Sequence, residues 1–237
     1  MKKRAIILAG GKGTRLKPYT VVLPKPLMPI GEYPILEVVI RQLSSIGFKH
    51  ITLAVNHQAE LIKAFFGNGS KWDIKIDYSL EEQPLGTMGP LKLVENLPEN
   101  FLVMNGDILT NLDFELFYNN HLKSKSYFTI SSTEREEYID FGVLEVDTHL
   151  NLIKLKEKPK ENYLVSMGIY MINRKIIDLI PANINFGFDN LMYLLINKNI
   201  KVNVYKSSDY WLDIGRPDDY KKAIEVFETK QGIFLNE

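Results

Sequence analysis

Over the first two thirds of the chain, short apolar runs alternate with amphipathic stretches, the pattern of a mostly parallel sheet covered by helices. Ala5–Ala9 is continuous, apolar and followed at once by glycines, which predicts a buried strand. Ile35, Val39, Leu43 and Ile46 share one face of a predicted helix, and Gly47 stands where a helix stops. Further strands are expected at Ile51–Val55, Ile74–Tyr78 and Phe101–Met104, and helices at Ala59–Phe66 and Thr87–Leu97. In the last of these, Thr87 is the expected N-cap and Pro90 falls in the first turn. After about Thr110 the rhythm changes. Tyr127–Ser132, Gly142–Asp147, Leu152–Lys156 and Val165–Met171 have hairpin-like spacing and predict an antiparallel extension of the sheet. Helices at Arg174–Ile180 and Asp189–Asn197, a strand at Val202–Tyr205, the segment Tyr210–Ile214 and a helix over Pro217–Thr229 complete the reading. The fold class is therefore α/β, a three-layer α/β/α sandwich. No internal repeat, low-complexity tract or Pro/Ser-rich linker interrupts the chain, so one domain over residues 1–237 is expected.

Composition excludes several function classes. The chain is 45% hydrophobic and 24% charged, ordinary for a globular protein. Lys+Arg and Asp+Glu both total 29, so no global field favours nucleic acid or an anionic membrane, and neither partner is expected. The absence of cysteine removes disulfides, thiolate catalysis and Cys-based zinc sites. Met1-Lys2-Lys3-Arg4 is basic, but the apolar run behind it is too short for a signal-peptide core or a membrane span. A cytoplasmic location is the expectation. His50, His57, His121 and His149 show no metal-ligand spacing and read as surface or packing residues.

The candidate chemistry follows the predicted strands, where ligands bind in open α/β sheets. Leu8-Ala9-Gly10-Gly11-Lys12-Gly13-Thr14-Arg15-Leu16 places glycines directly after a strand, so successive backbone N–H groups can approach phosphate oxygens. Lys12 and Arg15 add charge-assisted hydrogen bonds. A dinucleotide fingerprint would need a third glycine at Leu16, and a P-loop would need Lys-Ser or Lys-Thr at Lys12-Gly13. Lys25 stands between Pro24 and Pro26 on a stiff, extended backbone that fixes where its ammonium points. Asp107 and Asp213, far apart in sequence, each end an apolar run, and Mg²⁺ is typically held by one or two carboxylates plus substrate phosphates. Alone, either is an ordinary turn or N-cap aspartate.

Taken together, Leu8–Leu16, Pro18 and Leu23-Pro24-Lys25-Pro26-Leu27 resemble the signature of the sugar-nucleotide pyrophosphorylases, nucleotidyltransferases that act on sugar 1-phosphates. The resemblance continues through Gly86-Thr87, Asn105-Gly106-Asp107, Asp140-Phe141-Gly142-Val143, Glu157-Lys158-Pro159, Gly168-Ile169-Tyr170 and Trp211-Leu212-Asp213-Ile214-Gly215. It implies a Rossmann-like sheet and the transfer of a nucleoside monophosphate to a sugar 1-phosphate. It also implies that Leu8, Ala9, Gly10, Gly11, Gly13 and Thr14 line the nucleotide, with Arg15, Lys25 and Asp107 as the catalytic set. By the same likeness Asp107 and Asp213 would bind Mg²⁺, Glu157 would contact sugar hydroxyls and Lys158 the sugar phosphate. Gly142 and Gly168 would line the sugar pocket, where a missing side chain leaves room.

The run Glu81 to Leu91 lies where this family reads the base, and it looks most like that of mannose 1-phosphate and heptose 1-phosphate guanylyltransferases. Glu82 is expected to accept from guanine N1–H and N2, beside Gly86 and Thr87, while Glu81 reads as a solvated acidic turn. Gln83 suits a pyrimidine instead, which keeps thymidylyl and uridylyl transfer open. Ser166-Met167-Gly168 stands where members often carry Asn-Ala-Gly, and Met88 replaces a usual alanine, so the sugar stays open. A non-catalytic nucleotide-sugar sensor is the alternative from another class, against which stands the full set of cations and carboxylates. With no hexapeptide repeat, a C-terminal left-handed β-helix is not expected. A homodimer is one expectation for the assembly.

Overall fold

The structure, a computed structural model, describes residues 3–56 and 58–235, so the expectations for Met1, Lys2 and His57 lie outside it. The chain opens with β1 (Lys3–Leu8), whose residues Ala5, Ile6 and Ile7 are all fully buried because helices cover both faces of the sheet. A loop of three short 3₁₀ turns leads to the ribbon of β2 (Pro29–Ile30) and β3 (Tyr33–Pro34) and then to α1 (Ile35–Ser45). Next come β4 (Phe48–Val55), α2 (Ala59–Phe66) and β5 (Lys75–Leu80), a pair of parallel crossovers. After β6 (Asn100–Asn105) the chain makes β7 (Ile108–Thr110) and α3 (Phe114–Ser124).

The later strands are β8 (Phe128–Tyr138), β9 (Val143–Val146), β10 (Leu152–Lys156) and β11 (Lys160–Asn173). The chain ends with α4 (Phe188–Asn197), β12 (Val202–Lys206), β13 (Trp211–Asp213) and α5 (Pro217–Leu235), which kinks at Lys230. Seven strands form the main sheet in the order β12-β8-β11-β6-β1-β4-β5. β1, β4, β5 and β6 run parallel, whereas β11 is antiparallel to both β6 and β8. Ile7, Leu53 and Met104 face α1, α2 and α3, while Ile6, Ala54 and Val103 face α4 on the opposite side. That alternation produces the three layers.

Three local expectations are corrected. Thr87–Leu97 is not a helix, and Thr87 caps nothing: only Gly89–Leu93 turns, as 3₁₀. The carbonyl of Phe186 takes the N–H groups of both Met88 (2.9 Å) and Gly89 (3.0 Å), holding the segment to a distant loop. Arg174–Leu179 is likewise 3₁₀. The helix α3 has no counterpart in the sequence reading. Asp113 Oδ1 caps it by accepting from Leu116 N at 2.8 Å, and Phe114, Phe117, Tyr118 and His121 form its buried face.

Beyond Ser132 and before Ser166, β8 and β11 run past the edge of the core as a two-stranded arm, with the β9–β10 hairpin inserted between them. The pairing slips between Ser166 and Tyr170, where Gly168 takes φ +72°. Trp211 Nε1 donates to the carbonyl of Met167 at this point (2.8 Å), so the irregularity is tied to β13.

Candidate active site

Strand order reverses at β1, which has β4 on one side and β6 on the other. In open α/β sheets the crevice at such a switch point is the binding place. The carboxyl ends of β1 and β6 are locked together here, because Gly106 N donates to Leu8 O at 2.9 Å. A cleft of about 390 Å³ opens over this junction. Leu8, Ala9, Gly10, Gly11, Lys25, Gly86, Thr87 and Asp107 of the expected set line it.

Glycine is required at two points of the loop. A Cβ on Gly10 would lie 2.9 Å from Glu81 Oε1, so the bare backbone lets a carboxylate pass close by. Gly13 has φ +60°, and a Cβ there would sit 2.8 Å from Thr20 Cγ2. The carbonyl of Gly13 accepts from Leu16 N and from Thr20 Oγ1, which closes the turn Thr14–Leu16 outside the cleft lining. Gly11 meets nothing within 4 Å and borders open space.

Lys25 is 8% exposed. Its backbone differs from the extended run expected, since Pro24 and Met28 are extended but Lys25–Leu27 between them turn as 3₁₀. The Lys25 ammonium ion-pairs with Asp107 Oδ2. Asp107 Oδ1 is buried and has no hydrogen-bond partner. β13 then pairs antiparallel with β7 and Ile214 N donates to Asp107 O at 3.0 Å, which brings Asp213 beside Asp107. Burial pushes the Asp213 carboxyl up, and the Asp107 charge adds to this, while Lys25 and Arg15 oppose it. A Cβ on Gly215 would lie 3.4 Å from Arg15 Nη2 and 3.5 Å from Asp213 Oδ2, so this glycine stands between the guanidinium and the carboxylate. The two expected metal carboxylates, Lys25 and Arg15 thus meet at one place. Among the described residues no cluster of three or more His, Asp or Glu forms a complete metal cage.

At the other end of the cleft the reading of the acidic run is corrected. Glu82 and Gln83 are exposed and lie outside the lining, with Gln83 Nε2 donating to Asn183 O at 3.1 Å. Glu81, read from sequence as solvated, is buried and lines the cleft. Its Oε2 accepts from Leu85 N at 3.2 Å, and burial pushes its carboxyl up against that bond. Asn56, Asn105 and Asn185 also line the cleft, and of these only Asn105 stands in a motif named above, Asn105-Gly106-Asp107, where no role was expected of it. Asn56 and Asn105 directly follow or end predicted strands, a signal that could have marked them; Asn185, in a loop a hundred residues from Pro84, carried none.

The expected sugar residues stand apart from the cleft lining. Glu157 and Lys158 are exposed at the turn after β10, and Gly142 is exposed before β9. The space expected at the glycines is already taken: a Cβ on Gly142 would lie 3.1 Å from Glu157 Oε2, and one on Gly168 would lie 2.7 Å from Asn105 Nδ2. Gly168 thus serves the close approach of Asn105. Two histidines prove to be packing residues. His121 contacts Thr129 Oγ1 and Asn100 Oδ1, and His50 Nε2 lies 2.6 Å from Asp77.

Residues 4–230 match the family model described as Nucleotidyl transferase. The chain belongs to that family. It is 34% identical over 220 residues to D-glycero-alpha-D-manno-heptose 1-phosphate guanylyltransferase of Campylobacter jejuni, covering 92% of this chain and 96% of the relative. It is 30% identical over 225 residues to mannose-1-phosphate guanylyltransferase of Mycobacterium tuberculosis, covering 92% of this chain and 63% of the relative. The chain therefore spans less than two thirds of the mycobacterial protein's length. The crystal structure of HddC from Yersinia pseudotuberculosis complexed with GMP-PN superposes with a TM-score of 0.72 at 29% identity, over 95% of this chain and 99% of that one. The α/β sheet of this nucleotidyl transferase is thus the sheet of its structural neighbours. Among the described residues no helix is long and apolar enough to cross a membrane.

Proposed function

We propose that the chain transfers a guanylyl group from GTP to the 1-phosphate of a manno-configured hexose or heptose and releases pyrophosphate. Glu81 carries the guanine half of this reading, as a buried carboxylate on the cleft wall. Guanine turns two adjacent donors, N1–H and the N2 amino group, toward one edge, and an ionised carboxylate accepts both. Uracil and thymine offer one donor between two carbonyl acceptors, which a buried carboxylate repels. The names of the relatives and the GMP-PN in HddC support the same base. The manno half rests on the relatives' names.

In the reaction, an oxygen of the sugar 1-phosphate attacks the α-phosphorus in line. The bond from that phosphorus to the α–β bridging oxygen breaks, and pyrophosphate leaves. The acceptor is already anionic at pH 7, its second pKa lying near ~6, so no general base is needed. Positioned cations are. The glycine loop offers N–H groups to the phosphates, and Lys25 brings its charge to the junction of β1 and β6. Asp107 Oδ1, buried without a partner, and the adjacent Asp213 fit a hard divalent cation. Mg²⁺ held there would neutralise phosphate charge. Glu157 and Lys158 would meet the sugar and its phosphate from the lobe that the arm of β8 and β11 forms with the β9–β10 hairpin.

The test is pyrophosphate release with Mg²⁺, crossing GTP, UTP, dTTP, CTP and ATP with mannose, glucose, glucosamine and manno-heptose 1-phosphates. GTP with a manno-configured acceptor is expected, with discrimination against the pyrimidines of at least ~10²-fold that collapses in Glu81→Gln. Preference for another nucleotide in the parent chain would remove guanine from the reading.

A further inference from the structure

The strand ends lay out the cleft in the order of the sheet. Glu81 follows β5, Asn56 follows β4, the glycine loop follows β1, and Asn105 ends β6. The next strand across is β11, which runs past this edge of the sheet as part of the arm. Asn105 therefore stands on the side of the cleft nearest the lobe, at the far end from Glu81. Its place is fixed on both flanks. Its backbone pairs with Leu8 on β1, and Gly106 N is bonded to Leu8 O. On the other flank Met104 pairs with Ile169, and the next residues, Asn105 and Gly168, meet where the β11 ladder slips. Gly168 has φ +72°, and a Cβ there would lie 2.7 Å from Asn105 Nδ2 and 3.3 Å from Asn105 Cγ. The bare backbone is thus a notch for the carboxamide. Neighbouring polar groups of the slip are engaged: Met167 O accepts from Trp211 Nε1 at 2.8 Å, Ile169 O accepts from Ser131 Oγ at 2.9 Å, and Ser166 Oγ accepts from Gly168 N at 3.3 Å. The Asn105 carboxamide lines the cleft and has no hydrogen-bond partner among the described residues.

A carboxamide is neutral and both donates and accepts, so it matches a hydroxyl and brings no charge to a phosphate. We infer that Asn105 reads a hydroxyl of the acceptor sugar, the one on the carbon next to the anomeric centre. This rests on the transfer proposed above. Lys25 and Asp107 mark the place of the reacting phosphates in that reading, and only Gly106 separates Asn105 from Asp107. Among the hydroxyls of a sugar 1-phosphate, the one at C2 stands nearest the phosphate. It is also the hydroxyl whose configuration distinguishes mannose from glucose. Asn105 then sets specificity at the position closest to the chemistry, and the farther hydroxyls are left to the lobe. A site built to bond a hydroxyl rejects the analogue that lacks it, because its own polar group is then left unpaired. The ribose of the nucleotide offers the same hydroxyl chemistry, but the place of β6 beside β11 favours the acceptor.

The experiment deletes the hydroxyl and the side chain in turn. Mannose 1-phosphate and glucose 1-phosphate share one 2-deoxy derivative, so either acceptor serves. For the better of the two and for the 2-deoxy compound, kcat/KM is measured in the full chain, in Asn105→Ala and in Asn105→Leu. The leucine keeps the Gly168 notch filled, and a melting curve accompanies each protein. Losing the hydroxyl should cost the parent about tenfold, whereas in the variants the two acceptors should differ by less than about twofold. A structural role alone would lower both acceptors alike and keep the parent's ratio, which would overturn the contact. A parent indifferent to the hydroxyl would overturn it too, as would a rise in KM for GTP with the acceptor ratio kept, which names the ribose instead. Failure of every nucleotide and sugar phosphate pair is the failure of the transfer reading. If neither hexose phosphate turns over, calorimetric titration of mannose 1-phosphate and its 2-deoxy derivative decides the contact alone. A parent preference that Asn105→Leu loses supports it, and an equal preference in both proteins, or none in either, overturns it.

Discussion

Under the glycine loop, Ile7, Leu53 and Leu102 are completely buried, whereas Phe141, Leu144 and Leu152 of the lobe are 77%, 61% and 61% exposed. The first group belongs to parallel strands packed on both faces. The second belongs to an arm and hairpin with little behind them. The residues proposed to handle phosphate, Lys25, Asp107 and Asp213, sit on the buried scaffold, and the candidate sugar residues Glu157 and Lys158 sit on the exposed lobe. Charge stabilisation in phosphoryl transfer falls off with small displacements, so it calls for rigid supports. Recognition of sugar hydroxyls and a phosphate tolerates more adjustment, and low local contact density permits it.

The contrast can be broken most directly at Lys25. Lys25→Ala should cut turnover by about 10²–10³-fold, because it removes charge from the α-phosphate while leaving the folded sheet intact. Steady-state kinetics beside a melting curve checks this, and a normal kcat in a folded variant would take Lys25 out of the chemistry. The scaffold should also carry most of the acid sensitivity. Burial lowers the His121 pKa from 6.5 to about 4, so the folded state binds fewer protons than the unfolded chain in between. Stability from this group is complete above pH 6.5 and is lost as pH falls toward 4, a total of about 3 kcal/mol. Melting temperatures measured from pH 7 to pH 4 should therefore fall less steeply in His121→Gln than in the parent, and parallel curves would remove His121 as the source. The smallest effect belongs to the lobe. Lys158→Ala should raise KM for the sugar 1-phosphate about tenfold and leave KM for GTP alone. A loss of kcat as deep as that of Lys25→Ala would erase the distinction between the two regions.

The scaffold was far more legible in the sequence than the lobe, and the reasons are local. Glycines straight after a buried run, and a lysine flanked by prolines, are backbone constraints written in the residues themselves. Glu81 and Glu82 show the limit. Adjacent residues leaving a strand point to opposite sides, and only the pairing of β5 with β4, which ends with Glu81 N on Val55 O, decides which carboxylate turns inward. Helix α3 escaped notice because His121 interrupts its apolar face, and the buried partners that satisfy that histidine lie on β8 and β6. The charged run Glu134-Arg135-Glu136-Glu137 lies beyond the strand expected at Tyr127–Ser132, yet it continues β8 because the facing residues of β11 complete its ladder. Thr87 had a good capping signal, but the carbonyl of Phe186 claimed the N–H groups of the next two residues.

The register of the arm has a consequence for how such a chain can diversify. The lobe is one uninterrupted stretch, and it leaves and re-enters the core on residues that face each other, Thr133 and Val165. Directly opposed residues of an antiparallel pair lie only about 5 Å apart. A replacement segment of any length that closes the same short gap leaves every strand of the core in its place. Recombination or insertion can therefore rewrite the surface proposed to face the acceptor in a single event, without retuning the residues proposed to handle the nucleotide.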